Sequence, residues 1–212
     1  MAQDDKPIIK PTRNGPFLVK NVKQFENSKG EDLKPPSNMM LCRCGGSKNK
    51  PFCDGAHLKN GFEDKKDPRR VKDKKDDYVG RDITIHDNRG VCSHREHCIN
   101  HAPKVFRRRG KPWIDPDAQD AEETARVIEM CPSGALSYTK DGVLHEDWKQ
   151  KPAILISKDG PYDVHGCVEL DDPEGNKPEA EDHYTLCRCG HSKNKPFCDG
   201  RHWRVRFKDP KN

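Results

Sequence analysis

Two nearly identical stretches hold six of the ten cysteines and three of the ten histidines. The first runs from Cys42 to His57 as CRCGGSKNKPFCDGAH, and residues 187–202 repeat it as CRCGHSKNKPFCDGRH with only two changes. Both have the spacing C-x-C-x8-C-x3-H. The candidate ligands are therefore Cys42, Cys44, Cys53 and His57 in the first stretch, and Cys187, Cys189, Cys198 and His202 in the second.

This spacing suits two metals held side by side. Two cysteines separated by one residue place both thiolates on the same side of a loop, where they can share one metal. The later Cys and His can hold a second metal beside the first. Such a layout fits a 2Fe–2S cluster with two Cys on one iron and Cys plus His on the other. A structural zinc site normally has a C-x2–4-C pair and a distant second pair, and it remains the alternative.

The same residues resemble the CDGSH iron–sulfur family, the NEET proteins, whose pattern is C-x-C-x2-(S/T)-x3-P-x-C-D-G-(S/A/T)-H. The first stretch matches it throughout, including Ser47, Pro51 and Ala56. In the second stretch Arg201 replaces the small residue before the His. The resemblance implies one 2Fe–2S cluster per motif, a small β-rich fold, and pairing of two motifs as a dimer or an internal pseudo-dimer.

The repeat extends beyond the ligands at a constant offset of 187 − 42 = 145 residues. The offset maps Gly15-Pro16 onto Gly160-Pro161 and Leu41 onto Leu186. Each copy is predicted to contain a Gly-Pro turn, a short strand (Phe17 to Val22 or Tyr162 to Val168) and a second strand that leads into the first Cys. A unit with so little apolar sequence is expected to pack against its copy as a pseudo-symmetric pair.

A third group of thiols, Cys92, Cys98 and Cys131, lies between the two copies. Cys92 and Cys98 are spaced like the first and third ligands of a bacterial ferredoxin, Arg95 stands in the slot of the second, and Cys131 is followed by Pro132. Three cysteines predict a 3Fe–4S cluster, or a 4Fe–4S cluster that a histidine completes.

His94 is the best histidine candidate by position. His97 and His101 are weaker candidates, which we interpret as surface residues or supports of the site.

From Tyr78 to Tyr138 the middle segment resembles the divergent single-cluster ferredoxin-like family, described as binding one 4Fe–4S cluster. The resemblance rests on Cys92-x-His94-x3-Cys98, on Trp113-Ile114-Asp115-Pro116-Asp117 and on Cys131-Pro132-Ser133-Gly134-Ala135-Leu136. Around these residues we predict a strand from Arg81 to His86 and a helix that Asp117 or Asp120 caps and Pro132 stops. Phe106 and Trp113 are predicted to be core residues.

Composition sets the architecture. Hydrophobic residues make up 31% and charged residues 35% of the chain. This composition favours several small units, each stabilised by a bound metal, over one large hydrophobic core. We predict an α+β protein divided into a first CDGSH unit (1–64), a charged solvated linker (65–76), a small α+β ferredoxin-like domain (77–149) and a second CDGSH unit (150–212). The remaining thiol, Cys167, aligns with Val22 and is expected to be buried and structural.

The sequence offers no nucleophile and base constellation, phosphate loop or flavin motif, so we assign no catalytic residue and expect a carrier rather than an enzyme. The N-terminal residues lack an apolar leader, and a net charge of +5 among 40 basic and 35 acidic residues favours neither nucleic acid nor membrane. We expect a soluble, cytoplasmic single-electron carrier that meets redox protein partners, a reductase or an acceptor. The alternatives are an iron–sulfur cluster donor or redox/pH sensor, and a zinc-stabilised interaction module.

Overall fold

Short β-strands dominate the chain, which we describe from a computed structural model covering residues 5–212. The strands are β1 (Ile8–Pro11), β2 (Phe17–Lys20), β3 (Gln24–Glu26), β4 (Asn38–Leu41), β5 (Lys75–Val79), β6 (Thr84–Asn88), β7 (Leu136–Lys140), β8 (Val143–His145), β9 (Ala153–Ile156), β10 (Tyr162–His165), β11 (Glu169–Leu170) and β12 (His183–Leu186). The helices are α1 (His97–His101), α2 (Ala121–Ile128) and α3 (Arg201–Arg204). This secondary-structure content agrees with the prediction of small β-rich units. None of the helices in the described part of the chain could cross a bilayer.

Alternation of apolar and polar residues forms the strands of each repeat. In β2, Phe17 and Val19 are buried, whereas Lys20 is exposed. The hairpin from β1 to β2 closes where Thr12 N donates to Pro16 O at 3.0 Å. The strand predicted from Phe17 begins there but ends at Lys20, because Asn21 takes a left-handed φ of 60°. The strand predicted before the first ligand is β4.

The two repeats exchange strands. One sheet has the order β11-β1-β2-β4 and the other β12-β10-β9-β3. Thus β3 from the first repeat pairs in parallel with β9, and β11 from the second pairs in parallel with β1. The offset of 145 residues relates β1 to β9, β2 to β10, β3 to β11 and β4 to β12. One hydrophobic cluster, which includes Phe17, Phe25, Ile154 and Tyr184, is built from both repeats.

The middle segment forms a separate antiparallel sheet of order β5-β6-β7-β8, with α1 and α2 beside it. Asp120 caps α2, since its carboxylate accepts from the amides of Glu122 and Glu123 at 3.0 Å each. The predicted helix is therefore confirmed with the second of its two proposed caps, but it ends at Ile128, before Cys131 and Pro132. Phe106 is buried and Trp113 packs against the same cluster, as predicted.

The charged run expected to be a solvated linker instead contacts the second repeat. Asp67 N donates to Lys193 O at 2.9 Å, Lys193 Nζ lies 3.0 Å from an Asp67 carboxylate oxygen, and Arg70 Nε donates to Asn194 Oδ1 at 3.0 Å. In addition, β5 already begins at Lys75. Charged side chains dock here because the second ligand loop presents matching polar groups.

The prediction that Cys167 is a buried thiol is wrong, because its side chain is exposed. Gly166 and Cys167 both adopt positive φ, 74° and 56°, so the backbone turns one residue later than at Val22. Val168, only 1% exposed, fills the buried position instead.

Candidate metal centres

The four candidate ligands of each repeat form two close pairs. In the first repeat the Cys42 and Cys44 sulfurs are 3.8 Å apart, and Cys53 Sγ lies 3.4 Å from His57 Nδ1. The second repeat reproduces these distances, with 3.8 Å between the sulfurs of Cys187 and Cys189 and 3.4 Å between Cys198 Sγ and His202 Nδ1. The structure thus brings together, within each loop, the residues that the spacing grouped.

These distances suit two ligands on one tetrahedral metal. With metal–sulfur bonds of about 2.3 Å and metal–nitrogen bonds of about 2.0–2.1 Å, two thiolates lie about 3.8 Å apart, and a thiolate and an imidazole nitrogen about 3.5 Å apart. Among residues 5–212, no group of three or more His, Cys, Asp or Glu side chains converges to hold a single metal ion. The separations within each pair fit two ligands on one metal, and the four donors of a loop fit a group that binds two such pairs.

Hydrogen bonds within the loop fix the pairs. Asp54 accepts from the amides of Lys48 at 2.7 Å and Ala56 at 3.1 Å, and Ser47 Oγ donates to Phe52 O at 2.7 Å. The amide of Gly55, which has a φ of 82°, points at Cys53 Sγ at 3.5 Å. Asp199, Ser192 and Gly200 repeat this network.

Two of the loop lysines are tied to the loop itself. Lys50 Nζ donates to Ser47 O at 2.6 Å, and Lys195 Nζ to Ser192 O at 2.8 Å. They bring positive charge beside the thiols, and Lys195 helps to lower the pKa of Cys187.

One thiol of each Cys-x-Cys pair is favoured as a thiolate. The hydrogen bond from Cys42 lowers the pKa of Cys44 to about 5, and that from Cys189 lowers the pKa of Cys187 to about 6. The partner thiols, Cys42 and Cys189, have raised pKa values because each donates that bond. Deprotonated sulfur is the form that binds metal.

The two ligand loops meet each other through their backbones. Cys44 and Cys189 form an isolated antiparallel bridge. Across the same junction, Tyr162 Oη donates to Cys42 O and Pro51 O, both at 3.0 Å. The first loop is therefore positioned in part by a side chain of the second repeat.

Exposure distinguishes the two loops. Cys198 is 2% and His202 4% exposed, whereas Cys53 and His57 are only half-buried. Burial, followed by the nearby Arg95 and His94, lowers the pKa of His202 to about 4. The middle segment provides both of these neighbours, so it shields the second loop.

The thiols of the middle segment line a single cavity. Cys92, Cys98 and Cys131 share it with His94 and His97. Burial raises the pKa of Cys92 to about 11 and that of Cys98 to about 12. His101 is exposed and stacks on His97, with 6.1 Å between ring centroids. The three cysteines and either of the two lining histidines are thus available to one iron–sulfur group.

Arg89 is a site residue that sequence reasoning missed. Its guanidinium lies 4.7 Å from the centre of the Trp113 ring. Burial opposes its charge, but the nearby Cys92 and Asp87, followed by Cys98 and Cys131, raise its pKa. No local pattern indicates this role, since Arg89 stands in an ordinary Asp-Asn-Arg-Gly turn. A fixed cation here would stabilise negative charge on a group held by the three thiolates.

His94 also contacts the second ligand loop. A Cβ placed on Gly200 would lie 2.2 Å from His94 Cδ2, so the imidazole lies directly over that glycine. Trp203 Nε1 donates to His94 O at 3.1 Å. Arg95, in the slot of a missing ferredoxin ligand, points away to Asp163, 3.9 Å from its Nε. The segment after Cys92 therefore joins the middle cavity to the loop that carries Cys198 and His202.

Comparison with known proteins finds family matches over the three ranges that contain these residues. Residues 14–58 and 159–203 match the family described as iron-binding zinc finger CDGSH type, and residues 78–141 match the divergent 4Fe-4S mono-cluster family. The uncharacterized protein YjdI of Escherichia coli K12 is 41% identical over 61 residues, which is 29% of this chain and 80% of YjdI. YjdI of Escherichia coli O157:H7 gives the same values. No solved structure matches. The chain belongs to the iron–sulfur proteins in which two CDGSH-type domains flank a divergent 4Fe–4S mono-cluster domain.

Proposed function

We propose that the chain transfers single electrons through three iron–sulfur clusters. A 2Fe–2S cluster would be held by Cys42, Cys44, Cys53 and His57, and another by Cys187, Cys189, Cys198 and His202. A 3Fe–4S or 4Fe–4S cluster would be held by Cys92, Cys98 and Cys131, with His94 as the candidate fourth ligand. Replacing one thiolate by imidazole raises the potential of a 2Fe–2S centre relative to four thiolates.

The observation that carries this proposal is the unbroken series of contacts between the three sites. His94 lines the cavity of the middle thiols and lies over Gly200 of the second loop. The second loop then meets the first at the bridge between Cys44 and Cys189. A continuous protein path of this kind suits electron passage between fixed centres more than independent structural roles.

The exchanged strands support a pseudo-symmetric pair as the functional unit, and the middle sheet with its two helices supports a ferredoxin-like domain beside it. We place the domains at 1–64, 77–149 and 150–212, with 65–76 between the first two. Partners are a reductase or an acceptor protein, and we assign the protein to the cytoplasm, where thiols stay reduced.

Iron and acid-labile sulfide quantification with EPR, on anaerobically purified protein, tests the proposal. Four irons from the paired loops plus three or four from the middle site are expected, with signals of two cluster types after reduction. The Cys131→Ser variant should lose the middle signal alone, and Cys198→Ser the signal of the second loop. A colourless protein that holds zinc and no labile sulfide would refute the proposal.

Donation of a cluster to an acceptor is the second candidate, and the partial exposure of Cys53 and His57 favours it. Incubation with a cluster-free ferredoxin distinguishes the two functions. Transfer of iron and sulfide without reduction at any accessible potential would favour the donor. Reversible reduction by a ferredoxin reductase with full retention of iron would favour the electron carrier.

A further inference from the structure

The middle segment covers one particular face of the second repeat. On the outer side of β10 and β12, Asp163 is 7% and Thr185 1% exposed, and the amide of the ligand Cys198 donates to Thr185 O at 3.0 Å. Arg95 reaches Asp163 at 3.9 Å, and His94 lies over Gly200. Asn194 Nδ2 adds a bond to Gly90 O at 2.9 Å. A ferredoxin-type module is thus already docked beside the second candidate cluster site.

The same face of the first repeat has no such cover in the described part of the chain. The offset of 145 residues converts Asp163 to Leu18, Thr185 to Met40 and Trp203 to Leu58. Met40 is 54% and Leu58 81% exposed, and Leu18 lies partly exposed opposite Met40 in the ladder. We call the surface formed by Leu18, Met40, Cys53, His57 and Leu58 the open face.

Extending the function proposed above, we propose that the open face docks a separate small ferredoxin-type electron carrier with an acidic rim. The occupant is of the kind that the equivalent face of the second repeat already carries. Its docking residues must differ, however, because the acid that meets Arg95 in the second repeat is Leu18 in the first.

The charge around the open face indicates that the partner has an acidic rim. Lys20 follows Leu18 on the outer side of β2, and Lys48 and Lys59 belong to the ligand loop and its continuation; all three are exposed. Basic side chains around an apolar centre favour an acidic partner that approaches quickly and leaves readily. Exposed apolar side chains beside the half-buried Cys53 and His57 would bring the partner's redox centre next to this ligand pair.

Binding of an oxidised, acidic bacterial-type 4Fe–4S ferredoxin to the full cluster-loaded chain tests the proposal, with affinity measured by surface plasmon resonance at several salt concentrations. The double variant Met40→Glu/Leu58→Glu should weaken binding at least tenfold. Lys59→Glu should weaken it less and flatten the salt dependence. The matched control Val143→Glu changes an equally exposed apolar residue on β8 and should bind like the parent.

Equal affinity of the parent and the double variant would overturn the proposal, as would a failure of the parent to bind at millimolar ferredoxin. Self-association of the parent that the double variant abolishes would overturn it in favour of a second copy as the occupant. Iron, sulfide and EPR signals are recorded on every variant. A parent that has intact, reducible clusters but does not bind ferredoxin rejects the docking site alone, whereas tight binding of ferredoxin to a parent without reducible clusters rejects the electron-transfer function alone.

Discussion

Gly45 and Cys189 approach each other so closely that a Cβ on Gly45 would lie 2.5 Å from the Cys189 carbonyl oxygen. The relationship is reciprocal, since a Cβ on Gly190 would lie 2.6 Å from Cys44 O. The two repeats therefore touch backbone to backbone at the first ligand pair of each loop. Only glycine permits this contact, both for space and because φ is positive at both residues.

Alanine at Gly45 should destabilise the chain far more than alanine at Gly30. Both glycines have positive φ, 72° and 78°, but nothing lies within 4 Å of a Cβ at Gly30. We expect Gly30→Ala to cost about 1–2 kcal/mol from backbone strain alone. Gly45→Ala should add roughly 1–3 kcal/mol for overpacking against backbone. Guanidinium unfolding of the two variants measures this difference, and equal costs would contradict the tight junction.

Acid should release iron from the first repeat before the second. His57 is half-buried and open to solvent, whereas His202 is 4% exposed and burial lowers its pKa to about 4, which opposes its protonation. We expect two phases of visible bleaching at pH 5. The matched variants His57→Cys and His202→Cys should remove the fast and the slow phase, respectively. A single phase in the parent would contradict this order.

Arg89 should raise the reduction potential of the middle site. Reduction adds negative charge beside the guanidinium, so Arg89→Gln should lower the potential. The expected fall in the reduction potential is tens of millivolts for one electron, which corresponds to a free energy on the order of 1–2 kcal/mol. A redox titration followed by EPR measures it, with Arg126→Gln on the outer side of α2 as the control. An unchanged potential would exclude an electrostatic role for Arg89.

His183 should make stability fall below neutral pH. Burial lowers its pKa from 6.5 to about 4, and Trp148 stacks on it with 5.4 Å between centroids. From pH 6.5 down to about 4 the unfolded chain takes up a proton that the folded chain refuses, so stability is lost across that window, by up to about 3 kcal/mol.

The variant His183→Asn copies Asn38, its counterpart in the first repeat, and should remove this pH slope. Unfolding free energies from pH 5 to 7.5 test this prediction. Acid releases iron from parent and variant alike. The difference between their unfolding free energies at each pH therefore reports the contribution of His183. His191 is exposed, so the control variant His191→Asn should keep the same dependence of stability on pH as the parent.

Local patterns predicted much of this fold. The constant offset, the start of β2 and the cap at Asp120 all follow from residues near one another in the chain. The ligand pairs follow similarly, because the Cys-x-Cys and Cys-x3-His spacings leave little freedom once the Asp54 and Ser47 bonds close the loop.

Nonlocal contacts were beyond sequence reasoning. The pairing of Phe25 with Ile154 joins residues far apart in the chain, and β11 has only two residues. Cys167 was predicted to be buried because its alignment with Val22 ignored one extra left-handed residue. Arg89 could not be identified because its proximity to three thiols depends on how two distant loops close.

The exchange of β3 and β11 also determines when each part of the chain can fold during synthesis. The middle sheet needs only residues 75–145, and every strand partner is local. The first repeat precedes it, yet its sheet lacks an edge strand until residues 169–170 emerge. We therefore expect the middle sheet to fold first on the ribosome, while the first repeat waits for β11 of the second repeat.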